Sequence, residues 1–300
     1  MISSQSLINI FINEPDVYEN IEFLKYPEIG KIIQKDDIRN YNKVHAILVG
    51  LKDVIDDEFL MLFKRVEYIV SSTTGTDHIR TSRNIKIINL DPLEIQDVSA
   101  TAEFTLALLL SLVRKIPFID PNKVADRQIY RGTQLRGKRL GIFGMGRLGS
   151  KMARFAEALE MEWVGYDRRN SISDKKAILK TSDVITIHLP LREETLNFIG
   201  TQEFKWMEKK PFLINTSRPQ LVNKKALIAA LDFSLISGLA MDFINYDAGD
   251  KWDPELKKYL GKRLLLTPHI AGNTHESVAC TAQIVVDKLV SEVAYEFRAR

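Results

Sequence analysis

The sequence predicts an α/β fold made of two doubly wound parallel-sheet domains. Short runs rich in β-branched residues alternate with helical patterns along the chain, which is typical of parallel strands joined by crossover helices. One run continues directly into the glycine-rich turn Gly144–Gly149, which indicates a strand–turn–helix unit. A length of 300 residues is sufficient for two domains, although length alone also allows one large domain.

The first part of the chain contains four predicted strands and one long helix. The strands are the apolar runs near Leu7–Ile12, Val44–Val49, Tyr68–Ser71 and Lys86–Ile88. A helical pattern covers Ser99–Lys115 and stops before Pro117. None of these strands leads into a glycine triplet of the phosphate-binding kind.

The second part contains six predicted strands separated by helices, which is the number in a complete dinucleotide-binding domain. They are Arg139–Phe143, Trp163–Tyr166, Val184–His188, Phe212–Asn215, Ile236–Ala240 and Leu264–Leu266. A helix is predicted over Lys151–Glu160, and the final stretch Ser277–Arg300 has apolar residues at helical spacing.

The turn after Phe143 predicts a dinucleotide. Gly144 can make the tight turn, Gly146 lets a pyrophosphate approach the backbone, and Gly149 lets the following helix pack closely. Asp167 lies 18 residues after Gly149, where a carboxylate accepts hydrogen bonds from both ribose hydroxyls. The alternative to a dinucleotide site is an ordinary glycine-rich turn followed by an acidic residue on the surface. The adjacent pair Arg168-Arg169 leaves NADP open, but the acid favours NAD.

Composition excludes several classes of protein. The net charge of +3 is small and the basic residues are dispersed, so no nucleic-acid partner is indicated. The single cysteine, Cys280, rules out an intramolecular disulfide and a cysteine-rich metal site, and we expect it to be buried on the last helix. The apolar stretch Phe104–Val113 is too short to span a bilayer, and the N-terminus has no signal-peptide pattern. We therefore expect a cytoplasmic protein with no metal and no membrane partner.

The residues just after the strands of the second part predict the chemistry, because ligands of open α/β sheets bind beyond the carboxyl ends of strands. These segments are His188-Leu189-Pro190, Asn215-Thr216-Ser217-Arg218, Asp242 and Thr267-Pro268-His269-Ile270-Ala271-Gly272. Arginine clamps a carboxylate with two parallel hydrogen bonds, and histidine transfers a proton near neutral pH. Beside a nicotinamide, this set is suited to reducing a 2-keto acid.

Taken together, these motifs closely resemble the D-isomer-specific 2-hydroxyacid dehydrogenase family, which includes D-lactate, glycerate and phosphoglycerate dehydrogenases. The matching segments are Leu135–Gly149, Ser182–Leu191, Asn215–Arg218 and Leu266–Gly272, with weaker matches at Thr74–Asp77 and Ala102-Glu103. The resemblance extends over nearly the whole chain. It implies a flavodoxin-like substrate domain (1–96 plus 277–300), a Rossmann NAD-binding domain (97–276) and an active site in the interdomain cleft.

The resemblance also implies the roles of individual residues. Arg218 corresponds to the residue that binds the substrate carboxylate and carbonyl, and His269 to the acid/base. Asp247 stands where the family has a glutamate that holds the histidine, with Asp250 as the other candidate. The implied cofactor residues are Thr74, Gly144, Gly146, Arg147, Leu148, Gly149, Asp167, His188, Leu189, Pro190, Thr216, Ser217, Asp242 and Gly272. The implied substrate-binding residues are Thr73, Thr74, Gly75 and Arg218.

Three departures from the family pattern bear on the substrate. Thr73 replaces the first glycine of the substrate loop, beside which His78 lies, and Pro219 biases Arg218 toward an extended backbone. Phosphoglycerate dehydrogenases usually carry an arginine after the strand that ends at Val49, whereas this chain has Gly50-Leu51-Lys52, which disfavours a phosphorylated substrate.

The favoured function is an NAD-dependent enzyme acting on a small D-2-hydroxy or 2-keto acid. The alternative is an NAD(H)-sensing binding protein, like the corepressors related to the family. Family members are commonly dimers, and helix Phe104–Val113 is the predicted contact between subunits.

Overall fold

The structure is a computed structural model that describes residues 7–123, 125–243, 246 and 252–299. It divides into two compact units. The first comprises Met1–Val98 and Asn273–Arg300, and the second comprises Ser99–Gly272. Each unit has a parallel sheet with helices, so the predicted α/β class is confirmed.

The first unit is built on a five-stranded parallel sheet in the order β2-β1-β3-β5-β7. Its strands are β1 (Ile8–Ile12), β2 (Ile29–Ile33), β3 (Ala46–Val49), β5 (Tyr68–Ser71) and β7 (Lys86–Ile88). A two-stranded ladder joins β4 (Ile55–Asp56) to β6 (Ile79–Arg80). The helices are α1 (Pro15–Tyr18), α2 (Asp57–Leu60) and α9 (His275–Ala299). This strand order is that of flavodoxin-like sheets, and it places the topological switch point between β1 and β3.

The first unit differs from the sequence prediction at two places. Strand β2 was not predicted, because it is an edge strand whose Gly30-Lys31 pair interrupts the apolar run and lies exposed. The prediction that Cys280 is buried is wrong, since its side chain is exposed. The buried stripe of α9 consists of Ala282, Val285, Val286, Leu289 and Val293, and Cys280 lies off that stripe.

The second unit is built on a six-stranded parallel sheet in the order β13-β12-β11-β10-β8-β9, as its predicted strand number requires. The strands are β8 (Arg139–Phe143), β9 (Glu162–Tyr166), β10 (Val184–Ile187), β11 (Phe212–Asn215), β12 (Gly238–Met241) and β13 (Leu264–Leu266). The helices are α3 (Ala100–Val113), α4 (Arg147–Ala158), α5 (Ile172–Thr181), α6 (Thr201–Trp206), α7 (Lys224–Asp232) and α8 (Pro254–Lys257). Chain order reverses between β8 and β10, so the switch point of this sheet lies at the end of β8.

The long helix α3 packs on the sheet of the second unit. Leu108, Leu109 and Leu112 are buried in a core shared with β8 and α4, and Thr105 is fully buried as well. The helix ends before Lys115, which has a left-handed backbone (φ 59°) ahead of Pro117. Within the described ranges, no helix combines the length and apolar character needed to cross a membrane.

Candidate active site

The turn after β8 uses its three glycines in three different ways. Gly144 has φ +104°, and a Cβ there would lie 2.6 Å from the carbonyl oxygen of His188. A Cβ at Gly149 would overlap the carbonyl oxygen of Gly144, so only glycine lets α4 pack this close to the turn. At Gly146 a Cβ would meet nothing within 4 Å. The backbone at Gly146 is therefore open to a ligand, while the other two glycines fix the turn.

The amide groups of this turn are available to an anion. No acceptor among the described residues takes the amides of Met145 and Gly146. Helix α4 begins at Arg147 with Gly146 as its N-cap, and no side chain caps it. The first amides of a helix have no intrahelical partner and lie at the positive end of its dipole. Residues Gly144–Gly149 therefore fit the pyrophosphate of a dinucleotide.

Asp167 follows β9 at the same edge of the sheet and is held by Arg169. The Arg169 side chain makes an ion pair of 2.6 Å with its carboxylate, and the Arg169 amide donates a 2.8 Å hydrogen bond to it. These bonds lower the pKa of Asp167 to about 2, so the group is ionised at neutral pH. Because Arg169 is 86% exposed, it can leave the carboxylate at little cost when ribose hydroxyls arrive.

His188 follows β10 next to the glycine turn. Its amide donates to the carbonyl of Phe143 (2.7 Å), which ties the end of β10 to the end of β8. Both ring nitrogens are shielded from solvent and have no hydrogen-bond partner among the described residues. Burial lowers the pKa of His188 to about 4, so the ring is neutral at physiological pH. A neutral, buried ring is not suited to carrying protons, and the predicted place of His188 in the wall of the cofactor pocket stays a prediction.

The segment after β11 holds Arg218 in the conformation that Pro219 predicted. Arg218 has φ −137° and ψ 141°, which is extended backbone, and that expectation is confirmed. The side-chain amide of Asn215 donates to the Arg218 carbonyl (2.8 Å), and Ser217 Oγ donates to the carbonyl of Ile187 (2.9 Å). Thr216 pairs with the buried hydroxyl of Thr105 on α3 at 2.8 Å. This segment is thus anchored on β10, β11 and α3.

His269 lies in a strained turn that Asp242 holds. Its φ of +57° is in the left-handed region, which non-glycine residues rarely adopt. Asp242, at 1% exposure, accepts three hydrogen bonds from the segment around it. The donors are Thr267 Oγ1 (2.6 Å), the Ile270 amide (2.9 Å) and the Ala271 amide (2.7 Å). Residues kept in such backbone regions cluster at functional sites. Here the hydrogen bonds to the buried carboxylate stabilise the strained backbone of the turn.

In the predicted substrate loop of the first unit, the backbone carbonyls accept hydrogen bonds, whereas the amides find no acceptor among the described residues. The carbonyls of Thr73, Thr74, Gly75 and Thr76 accept hydrogen bonds from Leu90 N, Asn89 Nδ2, Thr73 Oγ1 and Ile79 N. The amides of the same four residues have no acceptor in the part of the chain that is described. Consecutive amides of this kind form an anion-binding concavity.

The side chain of Thr73 stabilises this loop through two hydrogen bonds. Its hydroxyl donates to the Gly75 carbonyl (2.7 Å) and pairs with Ser71 Oγ (2.8 Å). Ser71 Oγ in turn lies 3.3 Å from Nε2 of the buried His78. The hydroxyl that replaces the family's glycine therefore fixes the loop, and His78 supports it from behind.

The predicted residues of the second unit come together at the carboxyl edge of its sheet, and those of the first unit at the carboxyl edge of the other sheet. The former are Gly144, Gly146, Arg147, Leu148, Gly149, Asp167, His188, Leu189, Pro190, Thr216, Ser217, Arg218, Asp242, His269 and Gly272, and the latter are Thr73, Thr74 and Gly75. Asp247 and Asp250 lie outside the described residues. Within the described ranges no group of three or more His, Cys, Asp or Glu side chains is arranged to hold a metal.

The sequence analysis missed one residue of this kind, Glu14. Its carboxylate, after β1, accepts hydrogen bonds from the Gly50 and Lys52 amides of the turn after β3. Inspecting the strand ends of the first part, as was done for the second, would have indicated Glu14.

Known proteins match this chain. The family model described as D-isomer specific 2-hydroxyacid dehydrogenase, NAD binding domain, matches residues 106–271. The glyoxylate reductase of Thermococcus litoralis is 31% identical, over 89% of this chain and 84% of that protein. The D-3-phosphoglycerate dehydrogenase of Archaeoglobus fulgidus is 29% identical over 95% of this chain, which spans only 57% of that protein.

A solved structure shares the fold. The D-lactate dehydrogenase of Aquifex aeolicus, complexed with NAD and lactic acid, has a TM-score of 0.77 at 24% identity and covers 97% of this chain and 96% of its own. The fold and these matches show the class of protein, an NAD-dependent oxidoreductase of small hydroxy acids. The chain belongs to the D-isomer specific 2-hydroxyacid dehydrogenase family.

Proposed function

We propose that the protein interconverts a small 2-keto acid and its D-2-hydroxy acid with NAD(H). The observation that carries this proposal is the strained His269 turn, held by three hydrogen bonds to Asp242 at the same sheet edge as the open glycine turn. A histidine fixed in this way is suited to proton transfer. NAD(H), when bound, accepts or supplies the hydride.

The cofactor is proposed to be held by residues at the strand ends of the second unit. The amides at Met145 and Gly146 face no internal acceptor and suit the pyrophosphate, while Asp167 suits the adenosine ribose and favours NAD over NADP. The remaining proposed contacts are Thr74, Gly144, Arg147, Leu148, Gly149, His188, Leu189, Pro190, Thr216, Ser217 and Gly272. Asp242, which the sequence analysis placed among the cofactor residues, is proposed instead to hold the His269 turn, because its carboxylate accepts three hydrogen bonds from that segment.

The substrate is proposed to be bound through its carboxylate. The amides of Thr73, Thr74 and Gly75 offer donors to it, and the Arg218 guanidinium pairs with the carboxylate while polarising the neighbouring carbonyl. His269 then gives a proton to the carbonyl oxygen during reduction and removes it during oxidation. Asp247 is proposed to hold the His269 ring, in the role of the family's glutamate.

We assign the two domains accordingly. Residues 1–96 plus 277–300 form the proposed substrate domain, and residues 97–276 the proposed dinucleotide-binding domain. The positions of two features support this assignment. The glycine turn lies in the second unit, and the loop whose amides have no acceptor among the described residues lies in the first.

A homodimer and a cytoplasmic location are parts of the same proposal. Helix Phe104–Val113 buries one face in its own unit, whereas Phe104, Leu106 and Leu110 stay partly exposed on the other. Ile116 and Ile119 follow with more than half of their surface exposed. These partly exposed apolar side chains suit a second copy of the chain. Sedimentation velocity tests the dimer, and cell fractionation tests the location.

The experiment that tests the activity follows NADH oxidation against a panel of 2-keto acids. The panel contains glyoxylate, pyruvate, hydroxypyruvate and branched and aromatic keto acids, and NADH binding is measured in parallel by fluorescence. Turnover with at least one of them supports the proposal. Tight NADH binding without turnover across the panel would refute it and favour an NAD(H)-sensing protein instead.

A further inference from the structure

The carboxyl ends of β1 and β3 meet at the switch point of the first unit's sheet, where ligands of such sheets bind. Strand β1 continues into Asn13-Glu14, and β3 continues into Gly50-Leu51-Lys52. The proposed function does not use either segment.

The Glu14 carboxylate already occupies the turn after β3. Its Oε1 atom accepts hydrogen bonds from the amides of Gly50 and Lys52, both at 3.0 Å. A Cβ at Gly50 would overlap the carboxylate, so the glycine is what permits this close approach. Amides of a strand-end turn are the donors that phosphates and carboxylates of ligands normally take. Here the chain supplies the anion itself.

A second carboxylate lies beside this turn. Asn13, which is buried, donates through Nδ2 to Asp53 Oδ2 at 2.9 Å. Burial raises the pKa of Glu14, and the charge of Asp53 raises it further, while the backbone hydrogen bonds oppose both effects. Lys52 is the neighbouring cation, and its side chain is exposed. The turn amides are therefore already taken by Glu14, and an additional anion would also be repelled by the carboxylates of Glu14 and Asp53.

This turn starts beside the proposed substrate loop. Val49 at the end of β3 pairs in register with Ser71 at the end of β5, and the Ser72 amide donates to the Val49 carbonyl (3.4 Å). Adjacent strands lie ~4.8 Å apart. A keto acid held by its carboxylate on the amides of Thr73–Thr76 would therefore bind beside the end of the neighbouring strand, from which the turn starts.

We propose that Glu14 is a specificity-determining residue: its carboxylate fills the Gly50–Lys52 turn as an internal anion and excludes 2-keto acids with a terminal phosphate. This inference rests on the proposed function for its substrate class. The favoured substrates are therefore small 2-keto acids whose side chains are uncharged.

The test compares Glu14→Gln and Glu14→Ala with the control Asp16→Asn, which removes an exposed charge two residues away. One readout is the ratio of kcat/KM for phosphohydroxypyruvate to that for hydroxypyruvate. Removing the like charge should raise this ratio about tenfold in Glu14→Gln. Glu14→Ala also leaves the two amides to the ligand and should raise it further, whereas Asp16→Asn should change it less than about twofold.

The second readout is binding of inorganic phosphate, followed by calorimetry, and it needs no turnover. We expect phosphate affinity to increase from wild type to Glu14→Gln to Glu14→Ala, with thermal unfolding used to verify that each variant is folded. Equal phosphate affinity in wild type and both variants would overturn the proposal, even if keto acids are reduced. If no keto acid is reduced, the proposed function fails, and the phosphate titration still decides the role of Glu14.

Discussion

Two glycine turns, one in each unit, follow a parallel strand at a topological switch point and have opposite anion chemistry. In the second unit the amides of Met145 and Gly146 have no acceptor among the described residues, and a Cβ at Gly146 would touch nothing. In the first unit the amides at Gly50 and Lys52 are satisfied by Glu14. We therefore expect an external anion at the Met145–Gly146 turn and none at the Gly50–Lys52 turn.

The same comparison extends to Asp242. Like Glu14, it is an internal carboxylate that takes backbone amides at a strand end, but here it fixes the turn that holds His269. The two internal carboxylates thus have different roles. Glu14 closes a turn to ligands, and Asp242 holds the strained backbone turn that contains His269.

The largest effect is expected from Asp242→Asn. The amide keeps only one oxygen, so it cannot satisfy both the Ile270 and Ala271 amides through separate oxygens, and the His269 turn relaxes. Misplacing a reacting group by ~1 Å costs about 100-fold, so kcat should fall about 100-fold while the dissociation constant of NADH stays within about threefold. A control is Asp253→Asn, which alters a buried carboxylate that caps α8 and should lower stability alone.

Steady-state kinetics and NADH titrations separate two roles of Asp242. If NADH binding weakened about 100-fold while kcat stayed unchanged, Asp242 would hold the nicotinamide amide and the positioning role would be refuted.

A matched pair of glycine substitutions tests the two turns directly. Gly146→Ala should weaken NADH binding at least about tenfold with no loss of thermal stability, because the Cβ has space in the protein but blocks the pyrophosphate. Gly50→Ala should lower the free energy of unfolding by about 1–2 kcal/mol and leave NADH binding unchanged, because its Cβ displaces Glu14. A loss of thermal stability in Gly146→Ala would contradict the conclusion that the turn at Gly146 is open, in contrast to the turn filled by Glu14.

The smallest effect is expected from Arg169→Ala. An exposed ion pair contributes little because water screens it, so releasing Asp167 should improve NADH binding no more than about threefold. Binding of NADPH should become weaker, since the nearest exposed guanidinium is gone. Fluorescence titration with both cofactors is the measurement, with Arg154→Ala on α4 as the control. Tighter NADPH binding in Arg169→Ala would contradict the assignment of NAD.

Local features were predictable from sequence, and contacts between distant segments were not. The bounds of Arg139–Phe143, Phe212–Asn215 and Leu264–Leu266 were predicted correctly because each contains a short, mainly buried apolar run next to polar or turn residues. The glycine triplet and the extended Arg218 followed from short-range steric rules. Edge strand β2 gave too weak a pattern, since the exposed pair Gly30-Lys31 interrupts its apolar run.

The hydrogen bonds of the two internal carboxylates could not be predicted from sequence periodicity, because they join residues far apart in the chain. Glu14 reaches a turn 36 residues later, and Asp242 reaches amides 28 and 29 residues later. Such pairs become visible only when the sheet brings the strand ends together. Roles of the site residues, including Asp247 beyond the described ranges, stay predictions.

The central claim is that Arg218 binds the carboxylate of a 2-keto acid next to bound NADH. It is tested most directly by kcat/KM of Arg218→Ala for the best keto acid, with NADH affinity measured in the same preparation. The account predicts a loss of at least about 1000-fold in kcat/KM, since a charge-paired clamp and carbonyl polarisation both disappear, and unchanged NADH affinity. Full turnover in Arg218→Ala would contradict it.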